Sequence, residues 1–239
     1  MQRNPRAYPA SRGPEAILPT SDLTHPAESS CRRTPPAYWD RACRELASRD
    51  PVLREIIDAR RGEVLRGSGN AFRTLTNAIV GQQISVAAAA GIWGRLVRAL
   101  PAFSPQALAV ADAATLREAG LSRRKIEYVR GIAQAFVDGT ADESEWARLD
   151  DAQLRDRLTA FRGIGPWTAD MFLIFHARRP DILPLGDLGL VNTAARLYGW
   201  DDRPSRAVQL REHAELWRPW RTVATWYVWL VLDAKPVIY

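Results

Sequence analysis

The chain has 239 residues, of which 46% are hydrophobic and 25% are charged, a balance that is ordinary for a globular protein. No apolar run reaches the roughly 18 residues that a membrane span needs, and the N-terminus lacks the apolar stretch of a secretory signal, so we expect no membrane partner. The net charge of +6 and the pI of about 9.8 favour a polyanionic partner.

Arginine supplies almost all of the positive charge. Of the 33 lysine and arginine residues, only Lys125 and Lys235 are lysines. Arginine can hold a phosphate through two parallel hydrogen bonds. A genome rich in G and C would also favour arginine codons, so this bias alone leaves both interpretations open.

Cysteine and histidine are too few and too scattered to predict a metal centre. Cys31 and Cys43 cannot supply a four-cysteine zinc or iron–sulfur site, and the three histidines are far apart in the chain. We therefore expect no iron–sulfur cluster and no required cofactor. The lack of a disulfide framework is typical of the reducing cytoplasm.

The pattern of apolar residues predicts an all-α protein. Residues 1–36 are rich in Pro, Ser, Arg and Thr and predict a disordered tail. No segment shows the alternation typical of a strand, whereas helical patterns follow one another from residue 37. The predicted helices are 37–60 with a possible break at Pro51, 71–99 as one or two helices, 112–119, 123–138, 151–161, 166–177, 187–198, 204–217 and 222–232.

The segment 158–169, LTAFRGIGPWTA, predicts a helical hairpin that could bind an anion. Gly163 and Gly165 frame Ile164, and Pro166 stands where a new helix begins. We expect both glycines to allow a tight turn with positive φ and to leave no Cβ in the way. The next helix would present free N–H groups and the positive end of its dipole. Because glycine also ends many ordinary helices, a plain structural corner stays open on this feature alone.

The longer pattern Phe-x-Gly-Ile-Gly-x-x-Thr-Ala resembles the helix–hairpin–helix motif of the DNA glycosylase superfamily that includes endonuclease III. Residues 77–85, NAIVGQQIS, and 120–128, GLSRRKIEY, resemble two further segments of that family. Asp187 stands twenty residues after Trp167, where the family has its catalytic aspartate. The resemblance runs from residue 40 to the C-terminus and is greatest to the 3-methyladenine DNA glycosylase II branch.

The resemblance implies a glycosylase domain over residues 37–239 with two helical subdomains and an active site in the cleft between them. We expect one subdomain to comprise residues 72–182 and the other to combine 37–71 with 183–239. The implied partner is double-stranded DNA with damaged bases. We expect a monomer, associated with the nucleoid in a bacterial type of cytoplasm.

Asp187 by itself predicts a helix N-cap, because a Gly-Asp pair precedes an apolar helix there. The two roles are compatible, since a carboxylate held by helix N–H groups keeps its charge available. The resemblance implies that this charge stabilises an oxocarbenium-like sugar while the glycosidic bond breaks, and that Asp187 orients or deprotonates the attacking water.

Trp167 decides between two reaction types within the superfamily. Related bifunctional glycosylases carry at this hairpin position a lysine that attacks the sugar. Tryptophan has no such amine, and neither lysine lies near the motif along the chain. The resemblance therefore implies a monofunctional enzyme that uses water and leaves an abasic site. Trp167 would offer a π-face to a cationic base such as 3-methyladenine or 7-methylguanine, unless it is an ordinary core residue.

The resemblance also implies roles for residues around this centre. Trp229 would belong to the base pocket, and Gln83 would be a wedge that fills the gap left by the flipped base, unless it is a helix-cap amide. The DNA-binding candidates are Arg162, Gly163, Gly165 and Thr168. The backbone carbonyls that could hold a structural Na⁺ or K⁺ at the hairpin are those of Thr159, Phe161 and Ile164.

Three other functions stay open at this point. A non-catalytic helix–hairpin–helix module would need the hairpin and the basic surface but not Asp187. A glycosylase for oxidised or mismatched bases would keep Asp187 and differ in the pocket. A helical regulator with a small-molecule pocket would not need the DNA-binding motif.

Overall fold

The computed structural model describes residues 34–232, and within that range every regular element is an α-helix, which confirms the all-α prediction. The helices are α1 (Trp39–Arg49), α2 (Pro51–Ala59), α3 (Ala71–Gly81), α4 (Val86–Ala99), α5 (Pro105–Val110), α6 (Ala113–Glu118), α7 (Arg123–Val137), α8 (Glu143–Trp146), α9 (Asp151–Thr159), α10 (Pro166–Phe175), α11 (Leu188–Tyr198), α12 (Arg206–His213) and α13 (Arg221–Leu232).

The predicted tail lies mostly outside the described residues. Its last three positions, 34–36, are described, and there Pro36 is buried while Arg178 donates a hydrogen bond to the Thr34 carbonyl at 2.8 Å. Between residues 34 and 232, no helix combines the length and the apolarity that crossing a membrane requires.

Side-chain caps decide where most of these helices begin. Nine helices start after an Asp, Asn or Ser whose side chain accepts a hydrogen bond from a first-turn N–H group. The strongest example is Asp150, which forms a reciprocal capping box with Gln153. These signals are local, and therefore most predicted starts agree with the structure.

The segment 71–99, predicted as one or two helices, forms two, because Ser85 caps a new one by accepting from the Ala88 N–H. The sequence prediction differs from the structure mainly in two other places. Helices α5 and α8 were not predicted, since six and four residues are too short to show helical periodicity. The predicted helix 204–217 is shorter and ends at His213.

The helices pack in two groups, and the second group combines helices from the beginning and from the end of the described chain. The first group holds α3 to α10, with α3 packed against α4, α7 and α10. Its centre contains a chain of aromatic rings contributed by Phe72, Phe103, Phe136, Trp146 and Phe172. The second group holds α1 and α2 together with α11, α12 and α13. The division into two subdomains and their residue bounds stay a prediction.

A buried carboxylate joins three parts of the second group. Asp50 is only 2% exposed, and one of its oxygens caps α2 by accepting from the N–H groups of Val52 and Leu53. Its other oxygen lies near three ring donors, namely the Tyr198 hydroxyl at 2.8 Å, the Trp217 indole N–H at 2.9 Å and His213 Nε2 at 3.1 Å.

Hydrogen bonding has a larger combined effect than burial on the pKa of Asp50. Burial alone would raise the pKa of Asp50, but the hydrogen bonds led by those of His213 and Trp217 lower it below the ordinary value of 3.8. Burial raises the pKa of Tyr198, and the neighbouring negative charge of Asp50 raises it further. The second group is therefore built around one ionised carboxylate.

We expect Asp50→Asn to lower the free energy of unfolding by about 3 kcal/mol, because the amide would turn its own N–H groups toward existing donors. Urea denaturation at several pH values would measure this. The folded pKa is depressed, so the stability that Asp50 contributes is present above its unfolded pKa and disappears as the pH falls below 3.8. The difference between wild type and variant should shrink in that acidic range.

The matched control is Asp150→Asn, an exposed helix cap where asparagine serves almost as well as aspartate. An Asp50→Asn variant as stable as this control at neutral pH would contradict the role assigned to the buried carboxylate.

Candidate active site

The hairpin between α9 and α10 depends on one glycine conformation. Gly163 has a φ of +93°, and a Cβ at this position would lie 2.2 Å from a ring carbon of Tyr128. The turn closes with a hydrogen bond of 3.0 Å from the Ile164 N–H to the Phe161 carbonyl. Gly163 therefore combines a left-handed backbone with a close aromatic neighbour, and both require glycine.

The sequence predicted a positive φ at Gly165 as well, and this prediction is wrong. Its φ is −94° and its ψ is 178°, so the backbone is extended, and no atom lies within 4 Å of where a Cβ would be. The extended conformation is that of an ordinary N-cap, and its surroundings are open. Glycine at this position leaves space outside the turn rather than relieving backbone strain.

The start of α10 has backbone donors that no cap side chain accepts. Its N-cap is Gly165, which makes no side-chain cap, in contrast to the nine capped helices. Pro166 has no N–H, so the first free donors of the helix belong to Trp167 and Thr168. Because the positive end of the helix dipole lies here as well, this terminus can accept an anion.

An ion pair holds the two helices of the hairpin together. The Arg155 guanidinium on α9 donates two hydrogen bonds, of 3.0 and 2.8 Å, to the Asp170 carboxylate on α10. Burial raises the pKa of Asp170, and the Arg155 charge and hydrogen bonds oppose that rise. The ion pair links the two helices by side chains and therefore restrains their relative position.

Asp187 caps α11, as the sequence predicted, and also contacts the hairpin. Its Oδ1 accepts from the Leu190 N–H at 2.7 Å, and its Oδ2 accepts from the Trp167 indole Nε1 at 2.8 Å. The residue is half-buried, and the neighbouring Leu188 is 74% exposed. The carboxylate is thus fixed in orientation by two donors from different helix groups, while it remains close to solvent.

Trp167 therefore has a role that the sequence did not predict. Its indole edge donates to Asp187, whereas only its π-face was considered from the sequence. The contact joins α10 of the first helix group to the N-cap of α11 in the second. Trp167 is half-buried and packs against the hydrophobic core, and its polar atom bonds a carboxylate, so its place in a base pocket stays a prediction.

Trp229 is the most accessible of the C-terminal tryptophans. Trp217, Trp220 and Trp226 are buried, whereas Trp229 is half-buried on α13, the helix that packs against α11. One face of its ring stacks on Phe175 with the centroids 5.9 Å apart and the planes 8° from parallel. The stacked pair fixes the position of the Trp229 ring beside the helix that Asp187 caps.

The sequence of residues 76–219 matches the family described as "HhH-GPD superfamily base excision DNA repair protein". The chain belongs to this superfamily. The match includes Gln83, the hairpin, Trp167 and Asp187, and Trp229 lies beyond it. The resemblance inferred from the sequence is confirmed.

Two relatives and one solved structure show how far the likeness to superfamily members extends. The chain is 35% identical over 166 residues to DNA-3-methyladenine glycosylase 1 of Schizosaccharomyces pombe, covering 66% of this chain and 71% of the relative. It is 31% identical over 196 residues to DNA-3-methyladenine glycosylase 2 of Escherichia coli, covering 77% and 66%. The solved structure of the S. pombe 3-methyladenine DNA glycosylase in complex with abasic DNA has a TM-score of 0.73 at 29% identity, covering 80% of this chain and 95% of that one.

Two of the DNA-binding candidates in the superfamily hairpin are less available than expected. Thr168 is 1% exposed and its hydroxyl accepts a hydrogen bond from Gln82 at 2.8 Å, so its side chain is not available to an anion. Arg162 is exposed and lies 3.1 Å from Glu127 in an ion pair. Such an exposed pair is weak and can open for a phosphate.

Two residues to which the sequence assigned no role connect the wedge candidate to the hairpin. Gln83 is exposed and has a φ of +58°. The neighbouring Gln82 bonds the hairpin, and Lys125 bonds the Gln82 carbonyl at 2.9 Å. Lys125 is distant from the motif along the chain but is connected to it through Gln82. Its rarity among so many arginines was the available signal.

The two hairpin glycines generate a paired prediction. We expect Gly163→Ala to lower the free energy of unfolding by about 3 kcal/mol, because its methyl group would meet the Tyr128 ring at a positive φ. Gly165→Ala should cost less than about 1 kcal/mol, since the added carbon meets nothing and only cap propensity changes. Thermal and urea unfolding would measure both, and equal losses would contradict the different roles of the two glycines.

Proposed function

We propose that the protein is a monofunctional DNA glycosylase of base excision repair. It would flip an alkylated base of the 3-methyladenine or 7-methylguanine type out of the duplex, hydrolyse the N-glycosidic bond and leave an abasic site. The observation that carries this proposal is the Asp187 carboxylate, held by the α11 N-terminus and by the hairpin residue Trp167. The names of the relatives support the same class of substrate.

The hairpin is the proposed anchor on the DNA backbone. The uncapped N–H groups at the start of α10 would hold one phosphate without reading the base sequence, and Gly165 leaves space for its approach. The partner is double-stranded DNA with a damaged base, which the protein binds as a monomer. Gln83 would then enter the stack at the position of the flipped base.

Asp187 would act on the sugar as the bond to the base breaks. The departing base takes the bonding electrons, and positive charge develops on the sugar. A carboxylate already oriented by two hydrogen bonds stabilises this charge without having to reorganise. Each carboxylate oxygen keeps a second lone pair, so Asp187 can also orient or deprotonate the attacking water.

A monofunctional reaction is proposed because the hairpin offers no amine at the position of Trp167. Lys125 is the only lysine within residues 34–232. Its Nζ donates to the carbonyls of Val80 and Gln82 at 2.7 and 2.9 Å, so its ammonium is engaged at the end of α3. Water is then the nucleophile.

The base pocket would use the aromatic faces of Trp167 and Trp229. An alkylated purine that carries positive charge gains about 0.5–2 kcal/mol from an aromatic face. The same charge makes the base a good leaving group. Phe175 stacks on Trp229 and would keep its ring in position for this contact.

A bound Na⁺ or K⁺ at the hairpin remains a proposal of its own. The Phe161 carbonyl accepts the Ile164 N–H and keeps one lone pair for a cation, so the turn fits such an ion without requiring it. Thr159 and Ile164 would supply the other carbonyl oxygens. The cation would stabilise the turn beside the bound phosphate.

The proposal predicts that Asp187→Asn abolishes base release while folding and duplex binding stay close to wild type. Asparagine caps helices well, so α11 would still begin at this residue. Its amide N–H groups would face the Trp167 indole N–H, but this site is half-buried and open to water, so the loss of stability is smaller than at the buried Asp50. The negative charge that stabilises the sugar is lost. The measurement is release of 3-methyladenine and 7-methylguanine from methylated duplex DNA, with alkali treatment to reveal abasic sites. The matched control is Asp150→Asn, an exposed aspartate cap at the end of α9 that is opposite to the hairpin turn.

Wild-type protein that binds the duplex but releases no base from it would refute the enzyme and favour a non-catalytic DNA-binding module. Release from oxidised or mismatched bases instead would favour the second candidate, a glycosylase for another lesion. Borohydride should trap no covalent adduct with DNA, and a trapped adduct would contradict the monofunctional reaction.

The Trp167 indole generates a separate prediction. Trp167→Phe keeps an aromatic face and removes the N–H that orients Asp187, so we expect the single-turnover excision rate to fall about tenfold with little change in affinity for the lesion duplex. The matched control is Trp220→Phe, which removes a similar indole bond, of 2.8 Å to Glu45, outside the site. If Trp167→Phe excised at the wild-type rate, only the face of Trp167 would matter.

A further inference from the structure

Gln82, the residue just before the proposed wedge, is hydrogen-bonded to the turn and to the second helix of the hairpin. Its Nε2 donates to the Gly163 carbonyl in the turn and to the Thr168 hydroxyl on α10, each at 2.8 Å. An amide nitrogen carries two hydrogens, so both are used. The end of α3 is thereby attached to the two residues that flank the proposed phosphate site.

Lys125 fixes the same point from the opposite side. Its ammonium donates to the carbonyls of Val80 and Gln82, the last backbone acceptors around the end of α3. A compact ammonium can serve two converging carbonyls, which the planar fork of an arginine suits less well. Lys125 lies in the first turn of α7, where a cation is unfavourable for its own helix, and burial lowers its pKa. Its contacts with α3 therefore account for a lysine at this position.

The turn that follows is anchored at both ends but exposed. Gln83 has a φ of +58°, a conformation that side-chain-bearing residues rarely adopt unless the surroundings impose it. Gln82 anchors one end of the turn, and Ser85 anchors the other as the N-cap of α4. Between them Gln83 is exposed, and Ile84 is 38% exposed. The fold thus presents Gln83 at a fixed distance from the hairpin.

We propose that Gln82 and Lys125 are positioning residues that hold the wedge at a set spacing from the phosphate-binding hairpin. Base flipping opens a gap that must be filled while the backbone is held, so a wedge fixed relative to the hairpin loses less conformational freedom when it enters. This inference rests on the proposed function. It assigns to the pair a part in base extrusion and none in bond cleavage.

The attachment itself is tested in the free protein by hydrogen exchange. Gln82→Met removes both donors at similar side-chain length, and Lys125→Met removes the ammonium. We expect Gln82→Met to accelerate amide exchange in residues 81–85 and also in residues 163–168, and Lys125→Met to act mainly on 81–85. Unchanged exchange of 163–168 in Gln82→Met would overturn the attachment.

The chain offers a closely matched control for this experiment. Gln209 also donates two hydrogen bonds from its Nε2, to the carbonyls of Asp201 and Pro204 at 2.6 and 2.7 Å, and it lies in α12 of the other helix group. Gln209→Met should therefore lose similar bonds while exchange in the wedge turn and the hairpin stays at the wild-type rate.

The consequence for extrusion is tested by single-turnover excision from two duplexes, one with the lesion paired to a base and one with the lesion opposite an abasic site. Gln82→Met should slow excision of the paired lesion about tenfold and that of the unpaired lesion far less, because extrusion of the unpaired base costs little. In a Gln83→Ala background, Gln82→Met should have no further effect. A general structural defect would slow both substrates alike.

Equal slowing on both duplexes, or additive effects of the two substitutions, would overturn the positioning role. A wild-type protein that released no base would refute the proposed function instead. The exchange experiment would still decide whether Gln82 couples the turn to the hairpin, so the two failures are distinguishable.

Discussion

The hydrogen bond from the Trp167 indole to the Asp187 carboxylate connects the hairpin to the first turn of α11. The two residues belong to different helix groups, so the geometry of the site depends on how those groups are packed together. Phe175 reinforces the junction by contacting the rings of Trp226 and Trp229 on α13. A shift of either group would therefore move the carboxylate relative to the hairpin. The proposed phosphate site and the proposed reacting centre consequently share one rigid connection.

A comparison of three carboxylates shows why Asp187 is the one that we propose acts in the reaction. Asp50 is buried among backbone and aromatic donors, and Asp170 is buried against Arg155, so both serve the structure. Asp187 has a donor on each oxygen but is only half-buried. Its orientation is fixed without its charge being enclosed. A preorganised charge that can still meet a substrate is what stabilisation of a developing cation requires.

Rigid surroundings also explain the exposed residues. Gln83 lies on the surface with a positive φ, and the hydrogen bonds of Gln82 and Lys125 hold the backbone next to it. The two hairpin glycines also have different roles. Gly163 closes the turn against Tyr128, whereas Gly165 leaves open space in front of α10. In both cases a tightly held residue stands beside an accessible one. The surface proposed to meet DNA is thus kept in place before any ligand arrives.

The sequence by itself determined the helical class, most helix starts, the hairpin and the capping role of Asp187, because periodicity and side-chain caps act over a few residues. Its twenty-residue spacing from Trp167 was also readable, although the bond between them was not. Only the tertiary structure decided that the Thr168 hydroxyl is bonded by Gln82 and that Lys125 is bonded to the end of α3, since these contacts join residues 86 and 43 positions apart. Such pairings arise from the packing of whole helices, and no local pattern records which side chains that packing brings together.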